Sequence, residues 1–336
     1  MAITTVVIVT VLVALAFDVI NGFHDAANSI ATIVATRLMT PRKAVAWAAF
    51  FNFVALFIFH QGVAKTVSSL VKVDARDPAF VYVVLAGLIG AVLWNLLTWF
   101  LALPSSSSHA IMGGFSGAGL AYGGVGVLDL PKLRITAEFI VIAPVIGLAL
   151  GSVLLVIVSW LIRRLRPPQV QRMFHGIRMF SAAAYSIGHG GNDAQKTMGI
   201  ILAVLIAGGH VSSGATVGPT WVAVACYSAM AIGTAMGGWR IIKTLGSRLT
   251  KLSSHGAFCA ELSGAVTLFA ATALQVPVST THTITGAIVG VGSTNKLRGI
   301  RWGLASNIVW AWVLTIPASA GIGIACVKLF EKAGVI

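Results

Sequence analysis

Asp25 lies in the decapeptide NGFHDAANSI (Asn21–Ile30), and 168 residues later Asp193 lies in HGGNDAQKTM (His189–Met198). Ser105–Ser108 follow a proline in PSSSSHAIMG (Pro104–Gly113). Ser279–Thr281 follow one in PVSTTHTITG (Pro277–Gly286), 173 residues further on. Both aspartates are embedded in apolar stretches, where an ionisable side chain costs roughly 2.5–3.5 kcal/mol on insertion scales and is retained for function by default. A carboxylate beside amide and hydroxyl oxygens, here Asn28 and Ser29, suits a small hard cation or a proton. Hydroxyls after a proline mark a helix start, where free N–H groups and the positive dipole end suit a tetrahedral oxyanion stripped of water. Each motif also has a plain reading, a buried acid or a serine that merely caps a helix. Duplication of both motifs favours function.

His24, His109, His189 and His282 stand beside these groups, as proton relays or as structural hydrogen-bonding residues. Lys196 occupies the place of Asn28 in the second decapeptide. A fixed ammonium there can hold an anion, stand in for a bound cation beside Asp193, or form a structural ion pair. Asp18 and Glu261 have no repeat partner, since Ser186 and Leu88 occupy the equivalent places. They are read as local structure or gating.

The elements that position these groups must lie in a membrane. Of 336 residues, 57% are hydrophobic and only 10% charged, with mean hydropathy +0.92; a soluble domain carries about 25% charged residues. Apolar runs near twenty residues recur without the two-residue alternation of a membrane barrel, so the expected class is all-α and polytopic. Five crossings are expected per copy: 3–36, 44–60, 80–103, 105–127 and 137–162, then 179–207, 219–236, 256–275, 277–293 and 303–327. Pro144 and Pro317 also match at an offset of 173. The organisation is therefore a first membrane repeat over 1–162, a short basic linker over 163–178 and a second repeat over 179–336. Broken helices are expected at the Asp25 and serine-run segments and their counterparts.

The net charge of +14 sits in loops and reads as positive-inside topology plus attraction to anionic lipid, not as a nucleic-acid surface. Loops 37–43, 163–178, 240–251 and 295–301 hold 15 Lys/Arg, against 7 in the remaining loops and termini. That asymmetry puts both termini outside and inverts one repeat relative to the other. Met1–Ala16 is apolar without the basic start of a cleaved signal and is read as part of the first membrane helix. Cys226, Cys259 and Cys326 are read as packing residues. Inverted repeats with interrupted helices are the architecture of secondary transporters, and there is no Walker-type phosphate loop, so a gradient drives any uphill transport.

At these motifs the chain resembles the PiT family of inorganic phosphate transporters, in its short bacterial low-affinity form. The resemblance rests on GFHDAAN (Gly22–Asn28), PSSSSHA (Pro104–Ala110), HGGNDAQK (His189–Lys196), PVSTTH (Pro277–His282) and GGWRIIK (Gly237–Lys243), and covers essentially the whole chain. It implies a cation-coupled symporter of inorganic phosphate with no cofactor, in the cytoplasmic membrane of the cell, and a homodimer. The site it implies is Asp25, Asn28, Ser106, Ser107, Ser108, Asp193, Ser279, Thr280 and Thr281, the hydroxyls for phosphate and the acids with Asn28 for the coupling cation, sodium being a candidate at Asp25 and Asn28. Gln195 and Lys196 are added as phosphate-binding candidates and Asn192 as a coupling candidate, since they flank Asp193 in the second motif. Members whose second motif keeps an asparagine use sodium. Lys196 here resembles the bacterial forms described as proton-coupled carriers of phosphate or metal–phosphate.

Sodium coupling and sulfate permeation, as in some short bacterial relatives, are the nearest alternatives; an intramembrane Ser/His/Asp hydrolase and a passive anion channel are remote ones. Hydrogen phosphate differs from sulfate in carrying a proton, so a carboxylate facing the ligand accepts a hydrogen bond from one and repels the other. Asp25→Asn and Asp193→Asn variants are therefore expected to lose preference for phosphate over sulfate in competition uptake. Unchanged selectivity in a folded variant contradicts that role.

Overall fold

The computed structural model describes residues 3–72, 77–212, 214–295 and 297–336. Its helices are α1 (Ile3–Ala35), α2 (Pro41–Val54), α3 (Gly62–Ser68), α4 (Ala79–Phe100), α5 (Ser107–Gly123) and α6 (Leu130–Ile162), then α7 (Pro167–Ala207), α8 (Thr220–Met236), α9 (Trp239–Lys243), α10 (Ser254–Ala273), α11 (Thr280–Asn295) and α12 (Trp302–Lys332). Among the described residues the β structure is one isolated bridge, Val71 to Leu128. Arg76 and Lys296, which enter the loop count above, lie outside the described residues.

The order of elements repeats. Each half has a long helix, a second helix bent into a short one, a helix of about twenty residues, a helix starting within the hydroxyl run, and a long helix with an internal proline, Pro144 or Pro317. Among the described residues five helices (α1, α4, α6, α10 and α12) are long and apolar enough to cross a membrane, or seven spans if each bent pair counts as one. The ten expected crossings are not reached on length and composition. Polar residues dilute α7, and α5 and α11, at 17 and 16 residues, span only about 25 Å against a hydrocarbon core of about 30 Å.

Two expectations are corrected here. The segments around Asp25 and Asp193 are not broken: α1 and α7 run through them as continuous helices of 33 and 41 residues. Side chains of neighbouring helices answer the buried polar groups, so the backbone ladder stays closed. The interruptions fall at Pro104 and Pro277, just before α5 and α11. The expected linker over 163–178 is also mostly helix. Pro167 and Pro168, preset in φ for a first turn, start α7, and the Gln169 side chain accepts the Arg166 N–H at 2.9 Å. A turn of a few residues remains.

Close helix crossings at small residues hold the halves together. A Cβ at Gly22 would stand 2.3 Å from Met230 O, and one at Gly190 2.5 Å from Asn52 O, so α1 crosses α8 as α7 crosses α2. Likewise, a Cβ at Gly286 would stand 2.2 Å from Pro144 O and one at Gly113 2.6 Å from Ile316 O, seating α11 on α6 and α5 on α12. Two apolar clusters lie on either side of the polar middle of α1, one including Phe17, Val84 and Ile201, the other Ile30, Tyr185 and Leu268. Cys226 and Cys259 are buried free thiols.

Gly286→Ala is expected to destabilise the purified protein by about 1–3 kcal/mol through overpacking against backbone, read as a lower melting temperature in detergent. Gly303→Ala, where a Cβ meets nothing within 4 Å, is expected to leave it unchanged. Equal effects contradict the packing argument.

Candidate functional site

The hydroxyl runs divide their work by position. The serine three residues before the histidine of each run caps its own helix: Ser106 Oγ accepts the His109 N–H at 3.2 Å, and Ser279 Oγ accepts the His282 N–H at 3.2 Å. The next member binds the aspartate of its own half, Ser107 Oγ donating to Asp25 Oδ1 at 3.3 Å and Thr280 Oγ1 to Asp193 Oδ2 at 3.2 Å. The last member meets the opposite half. Asn28 Nδ2 donates to Thr281 Oγ1 at 2.8 Å, and Lys196 Nζ, at the place equivalent to Asn28, donates to Ser108 Oγ at 2.6 Å. The two halves therefore interlock through one pattern of contacts used twice.

Asp25, Asp193 and His189 offer ligand atoms all within 4.8 Å of one another, a set able to hold a metal ion. All three are buried, and Lys196 is only 2% exposed. Its ammonium reaches Asp193 Oδ1 at 2.5 Å and Val278 O at 2.7 Å, so Asp193 has a neutralising partner. His189 Nε2 stands 3.3 Å from Asp193 Oδ2, near enough for ion pairing but not aligned for a hydrogen bond. Its Nδ1 is 3.3 Å from Asn52 Oδ1.

His24 links Asp25 to a second shell of hydroxyls, with Nδ1 2.7 Å from Asp25 Oδ1 and Nε2 3.1 Å from Thr98 Oγ1. Ser105 Oγ is 3.4 Å from the same Nε2, the order of groups in a hydrolase triad. However, Ser105 donates its proton to Thr98 Oγ1 at 2.8 Å, so it is held as a structural donor. His109 and His282 pack edge to face with ring centres 4.6 Å apart, and His282 stacks on Trp312.

Two residues of the motif-derived sets are placed elsewhere. Gln195 Nε2 donates to Gly191 O at 2.7 Å while its Oε1 accepts the Val63 N–H at 3.0 Å, joining α7 to the start of α3. Asn192 donates to Thr272 Oγ1 at 3.1 Å and accepts the Val278 N–H at 3.3 Å, fixing the approach to α11. Helical phase is the reason: at about 100° per residue, positions one before and two after Asp193 point away from its face, whereas Lys196 and His189 share it. Conversely, the motifs do not contain Arg178, assigned above to a basic loop. It is buried in α7, with Nη2 donating to Glu261 Oε1 at 2.7 Å. Fifteen residues before Asp193, it lies within about 60° of the same helical face, a signal legible only once α7 is known to start at Pro167. Asp18 Oδ1 accepts from Thr197 Oγ1 at 2.5 Å.

Residues 21–323 match the phosphate transporter family. A protein of Rhizobium meliloti (strain 1021), described as "Probable low-affinity inorganic phosphate transporter", is 53% identical over 316 residues, 94% of this chain and 93% of its own length. One of the same description in Bacillus subtilis (strain 168) is 42% identical over 321 residues, covering 94% of each. The solved structure described as "The sodium-dependent phosphate transporter" superposes with a TM-score of 0.90 over 98% of this chain and 99% of that one, at 23% identity, and so shares its fold. The matched region includes both aspartate motifs, both hydroxyl runs and both internal prolines, and this chain belongs to the phosphate transporter family.

Proposed function

We propose that this protein is a proton-coupled symporter of inorganic phosphate in the cytoplasmic membrane, working by alternating access between two inverted repeats, 1–162 and 179–336. The observation that supports it most is the meeting of two hydroxyl-bearing helix starts, one from each half, at two buried aspartates. Ser107, Ser108, Thr280 and Thr281 present hydroxyls and helix N-termini to one point, as a dehydrated tetrahedral oxyanion requires. Asp25 supplies an acceptor for the proton of hydrogen phosphate, and Lys196 supplies positive charge. Because the ends of both halves converge there, a rocking of one half against the other exposes the same site to either side in turn.

Lys196 decides the coupling in this reading. Its ammonium holds Asp193 by a direct ion pair, taking the position a second metal cation would need, and leaves Asp25 with His24 for proton exchange. Sodium at Asp25 and Asn28 is the competing reading, and it matches the description of the solved relative. The excess of Lys/Arg in loops 37–43, 163–178, 240–251 and 295–301 supports both termini outside and an attraction of the basic inner loops to anionic lipid. A homodimer is consistent with the extensive exposed apolar faces of α6 and α12, including Val141, Val145, Trp310 and Leu314.

Radiolabelled phosphate uptake into proteoliposomes tests the reading. An inward proton gradient is expected to drive accumulation, a sodium gradient without one is not, and equimolar sulfate is expected not to compete. Sodium-driven accumulation overturns the coupling, sulfate competition the substrate, and equilibration without accumulation the symport. Lys196→Asn, which restores the first-half residue, is expected to introduce sodium dependence; a variant that transports with unchanged proton coupling removes Lys196 from the argument.

A further inference from the structure

Among the described residues, Arg178 and Glu261 form an ion pair outside the central cluster that is buried on both sides, each being 1% exposed. The guanidinium ties three helices at one end of the bundle. Nη1 donates to Thr36 just beyond α1 at 2.5 Å, and Nη2 to Glu261 of α10 at 2.7 Å, while Ser181 Oγ of α7 takes the other Glu261 oxygen at 2.5 Å. Nε shares an edge of the guanidinium plane with Nη2, and it is buried with no partner. Glu261 thus uses half of an edge that a tetrahedral oxyanion fills bidentately.

A polar track leads there from the aspartates. Along α1, Asn28, Ser29 and Thr32, continued by Thr36, fall within about 60° of the face of Asp25 and reach about 16 Å beyond it. The hydroxyls of Ser29 and Thr32 are buried without partners. In the second half the equivalents are Lys196, Thr197, Ile200 and Val204, of which Thr197 is engaged by Asp18 and the last two are apolar. The equivalents of Arg178 and Glu261 are Thr10 and Leu88. Track and ion pair therefore exist on one side only.

We infer that Arg178 is a second oxyanion station on the passage between the aspartate site and the end of the molecule carrying Arg37 and Lys43, with the Glu261 carboxylate occupying it when no anion is there. The inference rests on the phosphate reading of the central site. An anion leaving the hydroxyl runs moves along the Ser29–Thr32 face and displaces Glu261 from Nη2, gaining Nε as well. The carboxylate keeps Ser181 as its donor. In the empty state the ion pair closes the passage; loading of the station opens it. The opposite end, lacking both charges, has no such step.

Equilibrium binding of radiolabelled phosphate to the purified full-length protein in detergent decides it. Wild type is expected to bind one equivalent per chain. Glu261→Gln keeps the shape and the Ser181 contact but removes the competing charge, and is expected to bind two. Glu261→Gln combined with Arg178→Gln is expected to return to one. A single equivalent in Glu261→Gln overturns the station, because the retained first equivalent shows that the variant is folded. No binding in wild type overturns the phosphate reading instead. If Glu261→Gln loses even the first equivalent, Glu261→Asp, which withdraws the carboxylate by one methylene, is read in its place: two equivalents support the station and one overturns it.

Discussion

Two carboxylates held within a few ångströms of each other in an apolar interior are what the rest of this structure has to accommodate. Each must be paired, hydrogen-bonded or charge-neutralised, because an isolated buried charge is far more costly than any single packing contact. Asp193 is met by an ammonium and two hydroxyls, and Asp25 by an imidazole and a hydroxyl. The hydroxyl partners can be reached only if α5 and α11 begin in the middle of the bundle, and they begin there because Pro104 and Pro277 interrupt the chain. The glycine crossings follow in turn, since short helices ending in the interior need their backbones seated directly on α6 and α12.

The skeleton of contacts is duplicated while several residues in it are not. Asn28 and Lys196 donate to equivalent hydroxyls, yet one is neutral and the other charged. His24 and Asn192 are also equivalent, yet the imidazole reaches the adjacent carboxylate whereas the amide turns to the backbone before α11. The second half therefore carries the fixed positive charge, and the first the imidazole that is hydrogen-bonded to its aspartate. A symmetric scaffold thus carries unequal residues at equivalent places without giving up the common geometry.

Much of this was legible in the sequence. The paired decapeptides and hydroxyl runs located the centre, because repetition at a fixed offset survives ignorance of the fold. Capping by Ser106 and Ser279 and the pairing of Lys196 with Asp193 were both among the readings the residues allowed. What was not legible depended on helical phase and on boundaries. Gln195 and Asn192 look like site residues in a motif string and point elsewhere on a helix. Arg178 looks like one more loop cation until Pro167 is recognised as a helix start, after which the same residue is buried. The continuity of α1 and α7 was hidden for a related reason: glycines such as Gly22 and Gly190 suggest a break in sequence, but serve here as flat surfaces for a neighbouring backbone.

The exchange of helices between halves also dictates when the protein can become itself. α5 finds its seat on α12, and α1 on α8, and Asn28 and Ser108 find their partners on Thr281 and Lys196, so the first half leaves the ribosome with these contacts unmade. About 200 residues separate the end of α5 from the end of α12, which at typical synthesis rates is a wait of roughly 10–40 s. During that interval Asn28 and Ser108 need shelter from lipid that water or an insertion factor can give. Biogenesis is therefore expected to be a late, concerted closure rather than a sequence of finished modules, and a chain truncated before α12 leaves a nascent intermediate suited to quality-control proteases and not a working half.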